Sequence, residues 1–159
     1  MPSAYIETSV PSYCVARPSE NLIQVSKQAS TRRWWERGCS GLDLYTSVET
    51  LEEASRGDSE MADARLRLLQ GMRLLEITEE VSALAASLVA VGIVPLNVAS
   101  DALHIALAAV HRVDYLVTWN FKHIANPFIR ERIREHLAAN GFPMPVMCSP
   151  EELDQSHEN

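Results

Sequence analysis

The chain has 159 residues, of which 47% are hydrophobic and 22% are charged. This balance is typical of one globular domain and excludes a disordered chain. The net charge of −7 argues against a broad nucleic-acid-binding surface, and no apolar run approaches the roughly 20 residues that a membrane span needs.

Targeting and redox signals point to the cytoplasm. The N-terminus, MPSAYIETSV, lacks the basic start and apolar core of a secretory signal. Cys14, Cys39 and Cys148 are far apart and odd in number, which fits neither a disulfide framework nor a zinc site. We therefore expect free thiols in a reducing compartment. Residues 1–40 carry five Lys or Arg against three acids, so an anionic partner is expected near the first quarter of the chain.

Strands and helices alternate in the first half of the chain. The sequence predicts a strand over 4–7, a helix opened by Thr8 or Ser9 with Pro11 in its first turn, a helix over 21–37, a strand over 42–47, a helix from Ser47 to about Arg56 and a helix over 58–71.

The helix over 21–37 carries a predicted packing face and a cluster of arginines. Arg32, Arg33 and Arg37 near its end suit the helix dipole; an RNA-contacting patch that includes Trp34 and Trp35 is the alternative. The residues expected to share the packing face are Leu22, Ile23, Ser26, Ala29, Ser30 and Trp34.

The second half continues the alternation. The predicted elements are a strand over 74–77, a helix from Thr78 to before Gly92, a nearly all-apolar helix capped by Asn97 or Ser100, a buried strand over 115–118, a loop over 121–126, a helix opened by Pro127 over 128–140 and an edge strand over 145–148. An all-round apolar helix belongs inside a protein. Its single histidine, His104, is expected to be a hydrogen-bonded core residue rather than a metal ligand.

The alternation predicts an α/β fold in three α/β/α layers, with a central, mainly parallel sheet of four to five strands covered on both faces. With no repeat or linker in the sequence, residues 1–148 are predicted to be a single domain. Residues 149–159 are predicted to be an acidic C-terminal tail, and its last part, EELDQSHEN, is expected to be frayed.

Four polar residues lie at the ends of otherwise apolar elements. Glu7 ends the first strand, Glu53 lies on the helix after the second, Asp101 begins the apolar helix and Asn120 follows the fourth strand. Because the carboxyl ends of parallel strands share one edge, these groups are expected to converge in a cleft. Glu49 lies one turn before Glu53 on the same helix face.

Converging carboxylates raise one another's pKa unless a cation joins them. Oxygen ligands without Cys suit Mg²⁺ or Mn²⁺. An acid-bound divalent ion suits phosphoryl transfer, and it lets a net-acidic protein bind a polyanion.

Four segments, YIETSV, SVETLEEASRG, SDALHIALAA and VDYLVTWNFKHIAN, resemble PIN domains, and among these the VapC-type toxins of toxin–antitoxin pairs. The resemblance runs from Tyr5 to about Pro145. It implies an α/β/α fold with a central parallel sheet, acids around Mg²⁺ or Mn²⁺, and cleavage of single-stranded RNA. It also implies an antitoxin that covers the cleft and a homodimer.

The same resemblance implies site residues. Glu7, Glu53 and Asp101 would hold the metal, and together with Asn120 they form the expected catalytic set. Two positions depart from the usual pattern, because Glu7 and Asn120 stand where the family usually has Asp. Asn ligates through its carbonyl oxygen without adding charge. Glu49 is the candidate to restore a carboxylate.

Two alternatives to the ribonuclease stay open. The neutral Asn120 favours a catalytically weakened or inactive PIN domain that binds RNA or protein. A phosphate-accepting signalling receiver would need two acids after the first strand and a lysine after the last strand. The chain offers only Glu7 at the first position and no lysine in VMCSP at the second.

Overall fold

The structure is a computed structural model that describes residues 1–154. Its centre is a sheet of five parallel strands in the order β3-β2-β1-β4-β5. The strands are β1 Ser3–Ile6, β2 Asp43–Thr46, β3 Arg73–Leu74, β4 Tyr115–Val117 and β5 Val146–Cys148. The prediction of an α/β fold with a parallel sheet of four to five strands is confirmed.

Helices cover both faces of the sheet in the described part of the chain. They are α1 Ser9–Val15, α2 Leu22–Arg33, α3 Val48–Ala54, α4 Ser59–Leu69, α5 Glu79–Ala90, α6 Ala99–Val110, α7 Pro127–Ala139 and α8 Pro150–Leu153. A π-helical turn, Trp34–Gly38, continues α2, and a 3₁₀ turn, Leu96–Val98, precedes α6.

The central strand β1 divides the core into two clusters. Tyr5 pairs with Tyr45 of β2 and Leu116 of β4 in parallel register. Its side chain packs with α5, α6 and α7, whereas Ala4 and Ile6 pack on the opposite face with α1, the π turn and α4. This alternation follows from the two-residue period of a strand. It produces the three-layer arrangement.

Element ends differ from the sequence prediction at two places near the site. The third strand is two residues long, Arg73–Leu74, rather than 74–77. Helix α6 begins at Ala99 without a side-chain cap, so neither Asn97 nor Ser100 caps it. The reason at Ser100 is that its hydroxyl donates instead to the carboxylate of Glu49, at 2.6 Å.

The packing face predicted for α2 is wrong. Leu22 and Ile23 are 83% and 66% exposed, whereas the polar Gln28 and Thr31 are buried. The polar side chains are buried because each has a partner: Gln28 donates to the carbonyl of Arg17, and the Thr31 hydroxyl accepts from the Trp119 ring. Apolar side chains at the start of α2 are therefore left on the surface.

The C-terminal segment is ordered as far as it is described. Ser149 and Glu152 form a reciprocal capping box that starts α8. Asp154 is buried and accepts from Arg33 at 2.7 Å, so this end of the chain is tied to α2. The expectation that the end of the chain is frayed is wrong for residues 151–154, and residues 155–159 lie outside the described part. Within residues 1–154, no helix is long and apolar enough to cross a membrane.

Candidate active site

The predicted polar residues lie at the point where the strand order reverses. The sheet grows from β1 through β2 to β3 on one side and through β4 to β5 on the other. Open α/β sheets bind ligands in the crevice at such a switch point, beyond the carboxyl ends of the strands. Glu7 directly follows β1, Asn120 follows β4, and Asp101 lies in the first turn of α6.

Glu7 is buried and its Oε2 atom accepts several hydrogen bonds. The Ser9 hydroxyl donates at 2.5 Å, the Thr118 hydroxyl at 2.7 Å and the Ser9 backbone N–H at 3.1 Å. Both hydroxyls in turn accept from backbone N–H groups after β4, those of Trp119 and Asn120. The other carboxylate oxygen, Oε1, accepts no hydrogen bond from residues 1–154, so it remains available as a ligand atom.

Glu53 is held by a chain of hydrogen bonds through the core. Its Oε1 is 2.6 Å from Nε2 of the fully buried His104, and Nδ1 of His104 is 2.6 Å from the Tyr5 hydroxyl. Tyr5 continues the chain to Ser47, at 2.7 Å. The Thr8 hydroxyl also donates to Glu53 Oε1, at 2.7 Å. This chain joins β1, α3 and α6.

Glu53 and His104 each shift the pKa of the other towards its charged form. Burial by itself lowers the pKa of His104, but the hydrogen bond to Glu53 and the nearby Glu7 and Glu49 raise it above its usual value. Burial by itself raises the pKa of Glu53, but hydrogen bonds from His104 and Thr8 hold it below its usual value. The charge of Glu53 is thus balanced within the protein. His104 is a hydrogen-bonded core residue, in agreement with the sequence prediction.

Asp101 is in the opposite situation. Burial raises the pKa of Asp101, the charge of Glu53 adds to this rise, and the Asn120 side-chain hydrogen bond and the more distant His104 and His123 offset it only in part. Asn120 is itself held, because its Oδ1 accepts from the backbone N–H of His123 at 3.0 Å. Asp101 therefore has a neutral amide as its bonded partner and lacks a fully compensating cation.

The three glutamates of α3 differ in orientation and in their hydrogen-bond partners. Glu53 points inward, Glu52 is exposed, and Glu49 accepts from Ser100 on α6 at 2.6 Å. Glu49 lies at the edge of an apolar groove between α5 and α6, which Leu103 and Val89 also line. It lies beside the edge of the sheet that carries Glu7, Asp101 and Asn120, which we call the acid edge. Among the described residues it forms no hydrogen bond with Asp101 or Asn120.

The donor set fits a hard divalent cation in its chemistry. Within residues 1–154, no three His, Cys, Asp or Glu side chains form a group that could hold a metal as they stand. Asn120 lies outside that set of residue types; its Oδ1 accepts from the backbone N–H of His123, so its amide N–H₂ is the group that faces Asp101. The half-buried Asp101 carboxylate with its raised pKa and the unbonded Oε1 of Glu7 are oxygen ligands of the kind that Mg²⁺ and Mn²⁺ accept, and the Asn120 oxygen would join them by leaving the His123 N–H.

The sequence analysis missed the hydroxyls that organise this edge. Ser9 lies two residues after Glu7, and Thr118 lies two residues before Asn120. The only local signal was that each hydroxyl lies two residues from a predicted site residue, and Ser9 was assigned instead to the start of the first helix. The hydrogen-bonding role of Tyr5 had no local signal, since an aromatic residue in a strand predicts only a core position.

Comparison of the chain with family models, with curated proteins and with solved structures finds no match in any of the three.

Proposed function

We propose that this chain is a PIN-domain endoribonuclease of the VapC type, which hydrolyses RNA phosphodiesters with Mg²⁺ or Mn²⁺ bound at the acid edge. The observation that carries the proposal is Asp101, a half-buried carboxylate with raised pKa whose bonded partner, Asn120, is neutral, at the switch point of the sheet where Glu7 follows β1. A site with this surplus of negative charge favours a cation.

Glu7, Glu53 and Asp101 would hold the ion, with the Asn120 carbonyl as a neutral ligand or as the group that orients the attacking water. When bound, the ion polarises the phosphate and lowers the pKa of a water molecule. Ser9 and Thr118 fix the Glu7 carboxylate, and His104 fixes Glu53, so that neither has to reorganise on binding. The cytoplasmic location, the antitoxin partner and the homodimer are part of the same proposal.

The test is cleavage of a single-stranded RNA with and without Mn²⁺, by the wild type and two single-carboxylate variants purified in parallel. Asp101→Asn removes the proposed ligand. Asp63→Asn removes an exposed carboxylate of α4 by the same chemical change and is the matched control. A contaminating nuclease would give the same cleavage in both preparations. We expect metal-dependent cleavage that Asp63→Asn retains and Asp101→Asn loses. Cleavage by Asp101→Asn at the wild-type rate would refute the proposal.

A second function is favoured by one observation. The charge of Glu53 is balanced by His104, and Asn120 carries none, so fewer free charges face the edge than three acids would supply. A catalytically weakened or inactive domain that binds RNA or protein would have this property. It predicts RNA binding without cleavage at any Mn²⁺ concentration, and turnover that Glu53→Gln abolishes would exclude it.

A further inference from the structure

A pocket with aromatic side chains in its wall lies between α2, α8 and the segment after β4, and Tyr13 of α1 packs behind it against Trp119. Trp119 stands between Thr118 and Asn120, and its ring packs against Tyr13 and Phe121, with centroid distances of 5.7 and 5.8 Å. The indole N–H donates to the buried Thr31 hydroxyl at 2.8 Å. This hydrogen bond satisfies the buried indole N–H and fixes the orientation of the ring.

Lys27 of α2 places its ammonium over this aromatic cluster. Its Nζ atom lies 5.9, 5.4 and 5.8 Å from the ring centroids of Tyr13, Trp119 and Phe121. Within residues 1–154, the ion pairs formed by lysine, arginine and histidine do not include Lys27. A cation that lies on three rings without a carboxylate partner is free to meet an anionic group of a ligand.

The pocket has a volume of about 400 Å³ and an apolar rim that faces solvent. Leu22 and Ile23 line it, and Phe121 is 39% exposed. Glu151 of α8 also lines it and disfavours a phosphate at its own side of the rim. The pocket therefore suits a planar, uncharged group that is attached to an anionic group. The anionic group would lie outside the pocket, on the side of Lys27.

We propose that the cluster of Tyr13, Lys27, Trp119 and Phe121 is a nucleobase-binding subsite, in which an unpaired base of the RNA stacks on the aromatic rings. Stacking on aromatic side chains beside a cation is how proteins hold single strands. The backbone of Trp119 donates to Ser9, which donates to Glu7, so the subsite is continuous with the acid edge. This inference rests on the proposed function, since it names the part of the substrate next to the scissile phosphate.

The test is the binding of two labelled oligomers, measured by fluorescence anisotropy in EDTA and in an Asp101→Asn background, so that no cleavage competes. One oligomer is a short single-stranded oligouridylate. The other is a sugar–phosphate oligomer of the same length that lacks every base. Phe121→Ala removes the exposed ring, and Phe121→Leu keeps apolar volume without a π face. Phe128→Ala removes a 91% exposed ring of α7 and is the matched control.

We expect both Phe121 variants to bind oligouridylate about tenfold more weakly, which is the effect of losing one stacked base. Phe128→Ala should bind it as the parent does, and the base-free oligomer should bind all of these proteins alike. Lys27→Gln should weaken binding of both oligomers and reduce the slope of log K against log salt by about one phosphate contact. Thermal unfolding of each variant verifies that it is folded.

Equal losses on the two oligomers, or unchanged binding of oligouridylate by both Phe121 variants, would overturn the subsite. Failure of the parent protein to bind oligouridylate would also overturn it and would leave the Leu22 and Ile23 rim as a surface for protein. The outcome is separable from the cleavage test. Base-dependent binding by a wild type that never cleaves keeps the subsite and removes only the catalytic proposal, whereas cleavage insensitive to Phe121→Ala does the reverse.

Discussion

Glu53 and Asp101 lie at the same edge of the sheet, but the protein treats their charges in opposite ways. Glu53 meets a buried histidine at 2.6 Å, and its pKa is lowered despite burial. Asp101 has the neutral amide of Asn120 as its hydrogen-bond partner, and burial raises its pKa more than this amide, His104 and His123 lower it. A buried carboxylate costs free energy unless a cation or strong donors compensate it.

The difference separates an acid whose charge the protein itself compensates from an acid whose charge it compensates only in part. The chain from Ser47 through Tyr5 and His104 to Glu53 is complete without any bound group, and it ties α3 and α6 to the central strand. The negative charge of Asp101, by contrast, is offset only in part by its neighbours. The four predictions that follow test this contrast, from the largest expected effect to the smallest.

Replacement of His104 by Leu should destabilise the protein by about 3 kcal/mol, because it leaves the Glu53 carboxylate without its basic partner and removes one hydrogen bond from the buried Tyr5 hydroxyl. Urea denaturation measures the change. His111→Leu is the control, since His111 meets only the carbonyl of Glu76 near the surface and should cost about 1 kcal/mol or less. Equal losses for the two variants would remove the structural role assigned to His104.

Replacement of Asp101 by Asn should weaken Mn²⁺ binding at least about hundredfold, because a ligand change exceeds the effect of changing a supporting residue. Its effect on the metal-free fold should be small or stabilising. Burial raises the pKa of Asp101, so its ionisation costs stability as pH rises through that pKa. Calorimetry with Mn²⁺ measures the first effect and urea denaturation in EDTA the second. Unaltered Mn²⁺ affinity would place the site elsewhere.

Replacement of Asn120 by Asp should have the opposite effect on Mn²⁺ binding to the loss of Asp101. A second carboxylate next to Asp101 should raise Mn²⁺ affinity about tenfold, because affinity follows the number of ligand charges. It should also lower the stability of the metal-free protein, because two like charges then face each other. The same two measurements apply. A variant with neither change would mean that the Asn120 side chain does not face the metal.

The pH dependence of stability should show the smallest effect. The raised pKa of His104 contributes stability that is present below its usual pKa of 6.5 and is lost as pH rises through the raised pKa. The lowered pKa of Glu53 contributes stability that is present above its usual pKa of 4.5 and is lost as pH falls through the lowered pKa. The pair should therefore stabilise most between pH 4.5 and 6.5.

Urea midpoints of the metal-free wild type, followed on both sides of this range, measure the effect. In His104→Leu the loss on the alkaline side should disappear, because the histidine that titrates there is absent. An alkaline loss of the same size in His104→Leu would assign it to another group.

Much of the architecture follows from local sequence patterns. The alternation of short apolar runs with amphipathic stretches predicts a parallel sheet between helices, because each pattern depends only on neighbours in the chain. The placement of Glu7, Asp101 and Asn120 at one edge follows from topology, since parallel strands end at the same side. The exposed face of α2 and the ordered α8 were not predicted, because partners distant in the chain decided them: Trp119 for Thr31, and Arg33 for Asp154.

The sequence by itself determined which acids come near one another, and only the tertiary structure decided what each acid meets there. His104 reaches Tyr5 across 99 positions of the chain, and Thr118 reaches Glu7 across 111. Propensity and periodicity extend over a few turns and carry no information about such pairs. Because the charge and pKa of a buried group depend on its immediate partners, the difference between Glu53 and Asp101 arises only when the layers pack.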